Sequence, residues 1–321
     1  MKKIVFASLL TLCFSVYAQT VKVDGSSTVY PITEGIAEEF QKKTKVKTTV
    51  GISGTGGGFK KFCRNEIDVQ NASRPILQKE MDDCKAAGIT YYELPVAFDA
   101  LTVVINPKND FLKQLTVDEL KRMWEPAAQG KITNWNQINT KWPNRPLKLF
   151  GAGSDSGTFD YFTEAVVGKS KSSRGDFTAS EDDNVLVQGV SSDVGSLAYF
   201  GYAYYAENMK RVKAVSIVNK DGKAIEPNEV NVMNGSYNPL SRPIFIYVNS
   251  KSLDKPEIKQ FIEFYMAHVA KIAKEVKYVP LPDKVYKANL EHINKKRTGT
   301  IFGGKNEVGM TVEELVKREV K

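Results

Sequence analysis

The sequence predicts an α/β protein of two lobes, each a mostly parallel sheet flanked by helices, joined by two crossover strands. Strand-like and helix-like segments alternate along the chain, which is typical of parallel sheets. Two β-branched and aromatic runs, 101–106 and 243–248, flank a second α/β unit, so the chain crosses between lobes twice. The 321 residues are 42% hydrophobic and 26% charged, as expected for about two globular domains. We therefore assign 19–104 and 245–321 to lobe 1, and 105–244 to lobe 2.

Residues 1–18 have the pattern of a secretory signal peptide. Met-Lys-Lys precedes a short apolar run that ends at Val16-Tyr17-Ala18, with small residues at the positions that signal peptidase inspects. We expect cleavage after Ala18 and export to the periplasm. Leu12 rather than a small residue precedes Cys13, so we expect no lipid anchor. A buried N-terminal strand or helix is the alternative interpretation.

The first lobe begins with repeated strand–loop–helix units. Its predicted elements are strand 20–23, helix 31–43, strand 46–52, helix 57–65 and strand 67–69. Pro31 suits a first helical turn because its missing N–H has no partner there. Ile32, Ile36 and Phe40 recur on one helical face.

The second lobe and the returning chain follow the same alternation. Their predicted elements are a helix after Thr116, strand 146–150, helix 158–167, the glycine-aromatic stretch 195–205, helix 258–272 and a helix after Thr311. Thr116 with Glu119, and Thr311 with Glu314, fit the capping box that marks a helix start.

The charge indicates a mild attraction to anions. The formal net charge of +8 becomes +6 once Lys2 and Lys3 are removed with the signal peptide. The lysines are scattered rather than gathered in a basic arm, and no nucleic-acid motif accompanies them. We predict no nucleic-acid partner.

Cleavage of the signal leaves two cysteines, Cys63 and Cys84, in an oxidising compartment. A disulfide between them would stabilise the fold by roughly 3 kcal/mol in the chain-entropy model. A metal site is the weaker alternative because neither a histidine nor a second cysteine pair lies near them.

Three loops share one composition, with hydroxyl and glycine residues between a strand and a helix. They are 24–28, 53–58 and 154–158. Helix starts present unpaired backbone N–H groups, and glycine lets an anion approach them. Any one of these loops is more often ordinary helix capping than a ligand site. Three together, at the carboxyl ends of strands in an open sheet, predict an oxyanion cradle.

The turn Ser73-Arg74-Pro75 adds a formal positive charge to these loops. A guanidinium presents five donors in a fork that suits tetrahedral oxyanions. The alternative is that Arg74 pairs with Asp24 or Asp68.

Motifs for catalysis and for nucleotide binding fail position by position. Phe59 occupies the place where a dinucleotide fingerprint needs glycine or alanine. No Gly-x-Ser-x-Gly pentad surrounds Ser53, Ser154 or Ser156. The only histidines are His268 and His292, too few for a hydrolytic metal cluster. We predict no enzyme activity, no cofactor and no metal.

Several segments together resemble the periplasmic phosphate-binding protein of the high-affinity phosphate ABC transporter. They are DGSSTVYPITE, GISGTGGGFKKF, DVQNASRPI, LTVDELKRMWEPAAQGKITNW and GAGSDSGTFDYF. The resemblance covers nearly all of the chain after the signal. It implies a two-lobed, type II periplasmic binding protein that closes on inorganic phosphate and hands it to a membrane permease. We expect a monomer.

Loop chemistry and the resemblance together give a set of candidate phosphate ligands. They are Ser27, Thr28, Val29, Ser53, Thr55, Gly56, Ser73, Arg74, Asp155, Ser156, Gly157 and Thr158. The family pattern has an aspartate at the position of Arg74 and an arginine at the position of Ala152. In this chain the positive charge is therefore expected in lobe 1 rather than in lobe 2. The family resemblance thus leaves open which carboxylate reads the proton of phosphate.

Asp155 is the candidate for the acceptor that distinguishes protonated phosphate from sulfate. Helix N-capping is its alternative role. For the whole protein, the alternatives are a receptor for sulfate, molybdate or arsenate, a secreted phosphoester hydrolase, and an adhesion or structural protein that keeps only the fold.

Overall fold

The structure, a computed structural model, describes residues 20–320. The predicted signal peptide and its cleavage point lie outside these residues. Within them, no helix has the length and apolar character needed to cross a bilayer.

One ten-stranded sheet runs through both lobes, in the order β2-β1-β3-β12-β4-β8-β6-β7, with β13 and β9 also paired to β4. A separate three-stranded sheet has the order β11-β10-β5. The strands are β1 (Thr20–Gly25), β2 (Lys47–Val50), β3 (Val69–Ala72), β4 (Tyr91–Ile105), β5 (Gln114–Thr116), β6 (Lys148–Ala152), β7 (Thr178–Ser180), β8 (Ser196–Gly201), β9 (Lys213–Ala214), β10 (Ser216–Val218), β11 (Ala224–Ile225), β12 (Ser241–Asn249) and β13 (Val279–Pro280).

Helices pack against the strands of this sheet, and the mixed α/β class is confirmed. They are α1 (Tyr30–Thr44), α2 (Gly54–Cys63), α3 (Gln78–Ala86), α4 (Val117–Trp124), α5 (Gly157–Val167), α6 (Asp183–Ser192), α7 (Tyr202–Glu207), α8 (Glu229–Met233), α9 (Pro256–Glu275), α10 (Asp283–Asn294) and α11 (Val312–Glu319). Both predicted capping boxes form, with Thr116 accepting from Glu119 N at 3.0 Å and Thr311 from Glu314 N at 3.2 Å.

Strands β4 and β12 connect the lobes. Strand β4 pairs with β12 as far as Ala100, opposite Ser241, and from Leu101 onward it pairs with β8. The change of partner thus lies four residues before the predicted boundary at 104/105, which stays a prediction. Strand β4 is also much longer than the predicted run 101–106. The first half of β4 was not predicted because it contains Pro95, and proline is disfavoured inside strands. In the structure, Pro95 lies opposite β12 at the point where the register of the two strands shifts.

The predicted disulfide is present between Cys63, at the end of α2, and Cys84 in α3. Phe59 and Phe62 of α2 are buried, as an anchoring helix face requires. Helix α2 begins at Gly54 rather than at the predicted residue 57, so most of the glycine run lies inside the helix.

Candidate anion-binding site

The cradle loops meet between the lobes because of the strand directions. In lobe 1, β1 is parallel to both β2 and β3, so the segments that follow these strands lie at one edge of the sheet. In lobe 2, β6 is parallel to β7 and β8. The carboxyl ends of the two sets of strands face each other across the cleft, as ligand-binding edges of open α/β sheets do.

Four hydroxyl side chains lie together at this junction, and we call them the hydroxyl cluster: Thr28, Thr55, Ser73 and Thr158. The Oγ1 atoms of Thr28 and Thr158, from opposite lobes, lie 3.0 Å apart. Thr55 Oγ1 lies 3.2 Å from Ser73 Oγ. A Cβ on Gly157 would lie 2.5 Å from Thr55 Oγ1, so only glycine allows this approach of the lobes. All four hydroxyl residues are fully buried.

The two threonines that meet across the cleft occupy the same local turn in each lobe. Thr28 N donates to Ser26 Oγ at 3.2 Å, and Thr158 N donates to Ser156 Oγ at 3.1 Å. Ser156 is the N-cap of α5, so Asp155 does not have the capping role weighed as its alternative. Both turns start a helix, where backbone N–H groups lack intrahelical partners and favour anions.

Arg242, which sequence reasoning missed, places a positive charge on the hydroxyl cluster. Its Nη2 donates to Thr158 Oγ1 at 2.8 Å and to Thr28 Oγ1 at 3.4 Å. Its Nη1 donates to Gly157 O at 3.3 Å. The side chain is 1% exposed. One guanidinium from strand β12 therefore contacts the cradle loops of both lobes.

Asp99 of strand β4 holds this guanidinium in place. Arg242 and Asp99 are directly opposite each other in the β4–β12 ladder. Asp99 Oδ2 accepts from Arg242 Nη2 at 3.0 Å and from Nε at 3.3 Å. Burial raises the pKa of Asp99, while Arg242 opposes that shift. The sequence did contain a signal for this pair, because Asp99 and Arg242 each lie just before one of the two apolar crossover runs. A charge buried at such a position requires a partner of opposite charge.

Arg74 lies at the lobe junction, but its donors are directed at carboxylates. Its Nε donates to Asp160 Oδ2 of lobe 2 at 2.6 Å, and its two Nη atoms donate to Glu80 at 2.8 and 2.7 Å. The partners are neither of the two considered from the sequence. Asp24 pairs with Lys61, and Asp68 pairs with Lys255. Arg74 thus joins the lobes through a buried ion pair.

Asp155 also bridges the lobes, but at the protein surface. Both of its carboxylate oxygens accept from Lys60 Nζ, at 2.8 and 3.0 Å. Its backbone oxygen accepts from Gly56 N at 2.7 Å. A Cβ on Gly54, whose φ is +73°, would lie 2.5 Å from that same oxygen. The glycine run therefore allows the opposite lobe to approach the start of α2.

The remaining candidates lie around the junction with other partners. Ser27 O accepts from Tyr204 OH at 3.0 Å, which is a further contact between the lobes. Val29 is buried at the start of α1. Ser53 Oγ donates to Asp24 Oδ1 at 2.7 Å, away from the hydroxyl cluster. The ligand roles of all the candidate residues stay predictions.

A second buried acid, Asp183, lies near Asp99. It is the first residue of α6 and is 1% exposed. Burial and the negative charge of Asp99 raise its pKa to about 8. Within residues 20–320, no group of three or more His, Cys, Asp or Glu side chains is arranged to hold a metal ion. The site thus offers hydroxyls, backbone N–H groups and a guanidinium, the donors that an oxyanion accepts.

Comparisons with known proteins agree with this chemistry. Residues 17–268 match the PBP superfamily domain. Protein SphX of Synechococcus elongatus is 51% identical to this chain over 300 residues, covering 93% of this chain and 88% of that protein. The phosphate-binding protein PstS of Staphylococcus saprophyticus is 40% identical over 270 residues, covering 83% and 82%.

A solved structure shows the same arrangement of elements. It is a Clostridium perfringens protein described as a substrate-binding protein of phosphate ABC transport and solved with bound phosphate. It is 26% identical, with a TM-score of 0.69, and the match covers 82% of this chain and 100% of that one.

Proposed function

The chain belongs to the PBP superfamily and, within it, to the family of the SphX and PstS phosphate-binding proteins, and on this premise we propose that it captures inorganic phosphate between its lobes. The protein is exported, works as a monomer in the periplasm and delivers phosphate to the permease of an ABC transporter. The name PstS and the transport role described for the Clostridium perfringens relative support this assignment.

One observation carries the proposal: Arg242 contacts the threonines of both cradle loops. Thr28 and Thr158 supply a hydroxyl from each lobe, and each lies at the start of a helix whose first N–H groups favour an anion. Asp99 accepts a hydrogen bond from the same guanidinium and holds it in position. A tetrahedral anion that accepts from these groups is held by both lobes at once.

The number of donors is sufficient for tight binding. A phosphate dianion removed from water must recover its lost hydration, and each charge-assisted hydrogen bond contributes about 1.5–3 kcal/mol. Micromolar affinity needs about 8 kcal/mol net of the costs of association. The four hydroxyls, the Arg242 guanidinium and the helix-start N–H groups meet this requirement.

Lobe closure follows from where the guanidinium is attached. Arg242 lies on β12 one residue from Ser241, the last residue that pairs with β4 before β4 changes partner. The two crossover strands are therefore the hinge, as in other two-lobed binding proteins. An anion on Arg242 draws both cradle loops toward the hinge.

The protein acts as a receptor rather than an enzyme. The histidines are remote from the hydroxyl cluster: His268 bonds to Phe264 O on α9, and His292 lies on α10. A phosphoester hydrolase needs a nucleophile with an adjacent base, or a metal-bound water. The buried hydroxyls contact other hydroxyls and a guanidinium, which is fully protonated at neutral pH.

Calorimetric titration of the exported, phosphate-depleted protein tests this function. We expect phosphate to bind with one site and micromolar or tighter affinity, and a chromogenic phosphomonoester to remain uncleaved. Steady release of product would overturn the receptor assignment. Tighter binding of sulfate or molybdate than of phosphate at pH 8 would make the protein a receptor for another oxyanion.

A further inference from the structure

Two adjoining cavities lie beside the C-terminal helices α10 and α11, and the proposed function uses neither. One has a volume of about 270 Å³ and lies between strand β4, residues 297–301 and α11, and we call it the Glu93 cavity. The other, of about 240 Å³, lies between α10 and the end of α11, and we call it the lysine cavity. His292, Arg297 and Glu319 line both cavities, so the two are neighbours. None of their lining residues belongs to the hydroxyl cluster.

The Glu93 cavity is lined by two buried acids, Glu93 and Glu319, which are 7% and 2% exposed. Glu93 is bonded at both oxygens, to Ile301 N at 3.0 Å and to Tyr247 OH at 2.6 Å. Glu319 is not. Its Oε2 lies 3.9 Å from His292 Nδ1, too far for a hydrogen bond, and its Oε1 has no hydrogen-bond partner among the described residues. Buried polar atoms are normally paired, so Glu319 offers an acceptor to a ligand in this cavity.

The basic residues that line the Glu93 cavity do not neutralise these acids. Arg318 donates to both oxygens of Glu307, each at 2.6 Å. Burial lowers the pKa of His292, which leaves the imidazole uncharged near neutral pH. Burial, with the nearby charge of Glu93, raises the pKa of Glu319 to about 8, as expected for an acid without a cation partner. An ammonium group in the cavity would supply that cation.

The lysine cavity has the opposite charge. Its lining includes Lys284, Lys287, Lys295 and Arg297. Lys295 donates to Glu291 at 2.7 Å. The side chains of Lys284, Lys287 and Arg297 are exposed and have no hydrogen bond or ion pair within residues 20–320. Unpaired cations therefore lie on one side of the junction between the cavities, and underpaired acids on the other.

We propose that the two cavities together bind a small linear zwitterion, an amino acid whose ammonium group and carboxylate are separated by a short methylene chain. The ammonium group, with three donors, bonds to Glu319 Oε1 and lies beside Glu93. The carboxylate lies in the lysine cavity, where Arg297 can bind it with two parallel hydrogen bonds. This inference goes beyond the proposed function and does not depend on it.

The charges and the size of the cavities select this class of ligand. A simple amine would bring its charge close to unpaired Arg297, and a simple acid would bring its charge close to Glu319, so each meets a repulsive group. A zwitterion places each charge beside groups of the opposite sign. Pockets for small ligands enclose roughly 300–1,000 Å³, and the two cavities, of about 270 and 240 Å³, together have this size.

Chemical-shift titration of the ¹⁵N-labelled protein tests the inference at pH 7. The probes are glycine, 4-aminobutanoate and 6-aminohexanoate, with butylamine and butyrate as ligands that carry one charge each. Saturating phosphate is present, so that binding in the cleft is not mistaken for binding here. We expect at least one zwitterion to bind with a dissociation constant of about 1 mM or tighter. It shifts the amide signal of Ile301, which donates to Glu93, and butylamine and butyrate bind at least tenfold more weakly.

Two variants separate the two ends of the site. Glu319→Gln weakens binding of the zwitterion at least tenfold. Arg297→Gln weakens it at least fivefold but does not weaken butylamine, because it removes a cation that repels the amine. Glu313→Gln is the matched control, since it removes an exposed carboxylate of the same helix that pairs with Lys317 outside both cavities, and affinity stays unchanged. Should Glu319→Gln fail to fold, as judged by circular dichroism, Arg297→Gln decides, because exposed Arg297 has no partner to lose within residues 20–320.

Three results would overturn the inference. The first is the absence of any shift at Ile301 with about 10 mM of each zwitterion, tenfold above the expected dissociation constant. The second is binding of butylamine or butyrate as tight as that of the best zwitterion. The third is equal affinity of Glu319→Gln and Glu313→Gln for that zwitterion. Failure of phosphate to bind would overturn the proposed function and leave this inference standing.

Discussion

The hydroxyl oxygens of Thr28 and Thr158 lie 3.0 Å apart although the two residues belong to opposite lobes. Arg242, on a strand that connects the lobes, donates to both. In the proposed function, closure and anion binding therefore use the same atoms.

Removing either cleft threonine hydroxyl weakens phosphate binding. Thr28→Val and Thr158→Val each delete a donor to a charged ligand while keeping the shape of the side chain. A loss of about 1.5–3 kcal/mol corresponds to roughly 10- to 100-fold in the dissociation constant. Calorimetry measures the effect, and Thr49→Val, on the exposed edge strand β2, is the control. Equal affinity in all three variants would contradict the ligand role.

Loss of the Arg242 charge affects binding and stability separately. Arg242→Gln leaves buried Asp99 unpaired, which costs about 3–5 kcal/mol of the free energy of unfolding. Adding Asp99→Asn removes that unpaired charge. We expect the double variant to recover most of the stability, measured by urea unfolding, but no phosphate affinity. Recovery of both would show that Arg242 has only a structural role.

Arg74 is expected to act through the lobe junction. Its partner Asp160 is fully buried and accepts from Arg74 Nε at 2.6 Å. If the ion pair holds the lobes together, Asp160→Asn weakens binding as much as Arg74→Gln does. The exchanged pair Arg74→Asp with Asp160→Arg then recovers part of the loss. If Arg74 binds phosphate directly, as the sequence suggested, Arg74→Gln has much the larger effect in calorimetry.

The exposed pair between Lys60 and Asp155 provides a comparison for that experiment. Both side chains are well exposed, at 60% and 39%. Ion pairs of this kind contribute about 0–1 kcal/mol and are screened by salt. We expect Lys60→Gln to change phosphate affinity by less than about fivefold, and only at low salt. A larger effect at 0.5 M salt would mean that this surface contact controls closure.

Glu93 makes stability depend on pH. Burial raises its pKa from 4.5 to about 7, although Tyr247 OH donates to it at 2.6 Å. Because the pKa is higher in the folded state, its contribution is fully present below about pH 4.5 and is lost as pH rises through 7. In Glu93→Gln, the free energy of unfolding no longer falls by this contribution, which is roughly 3 kcal/mol. Urea unfolding between pH 5 and 8 measures it, and an unchanged slope would contradict the assignment.

The regular elements were predictable because local patterns determine them. Two capping boxes, at Thr116 and Thr311, each depend on residues within one helical turn. The apolar face of α1 depends on residues spaced one or two turns apart. The three cradle loops were also predictable, because their hydroxyl and glycine residues are close together in the sequence. Helix α2 was placed three residues late because glycine disfavours a helix in isolation, whereas here glycine allows Asp155 to approach.

The charged centre of the site was not predictable from local patterns. Arg242 and Asp99 are far apart in sequence and meet only through the antiparallel register of β12 and β4. Arg74 was predicted to supply the positive charge of the anion site. In the folded protein it donates to the carboxylates of Asp160 and Glu80 instead. Which arginine faces the hydroxyl cluster depends on tertiary pairing, and no spacing along the chain encodes it.

A crystal structure of the phosphate complex tests the central claim most directly. We predict that phosphate oxygens lie within hydrogen-bond distance of Thr28 Oγ1, Thr158 Oγ1 and the Arg242 guanidinium, with Arg74 still bonded to Asp160. Phosphate bound by Arg74, with Arg242 bonded only to Asp99, would contradict the account.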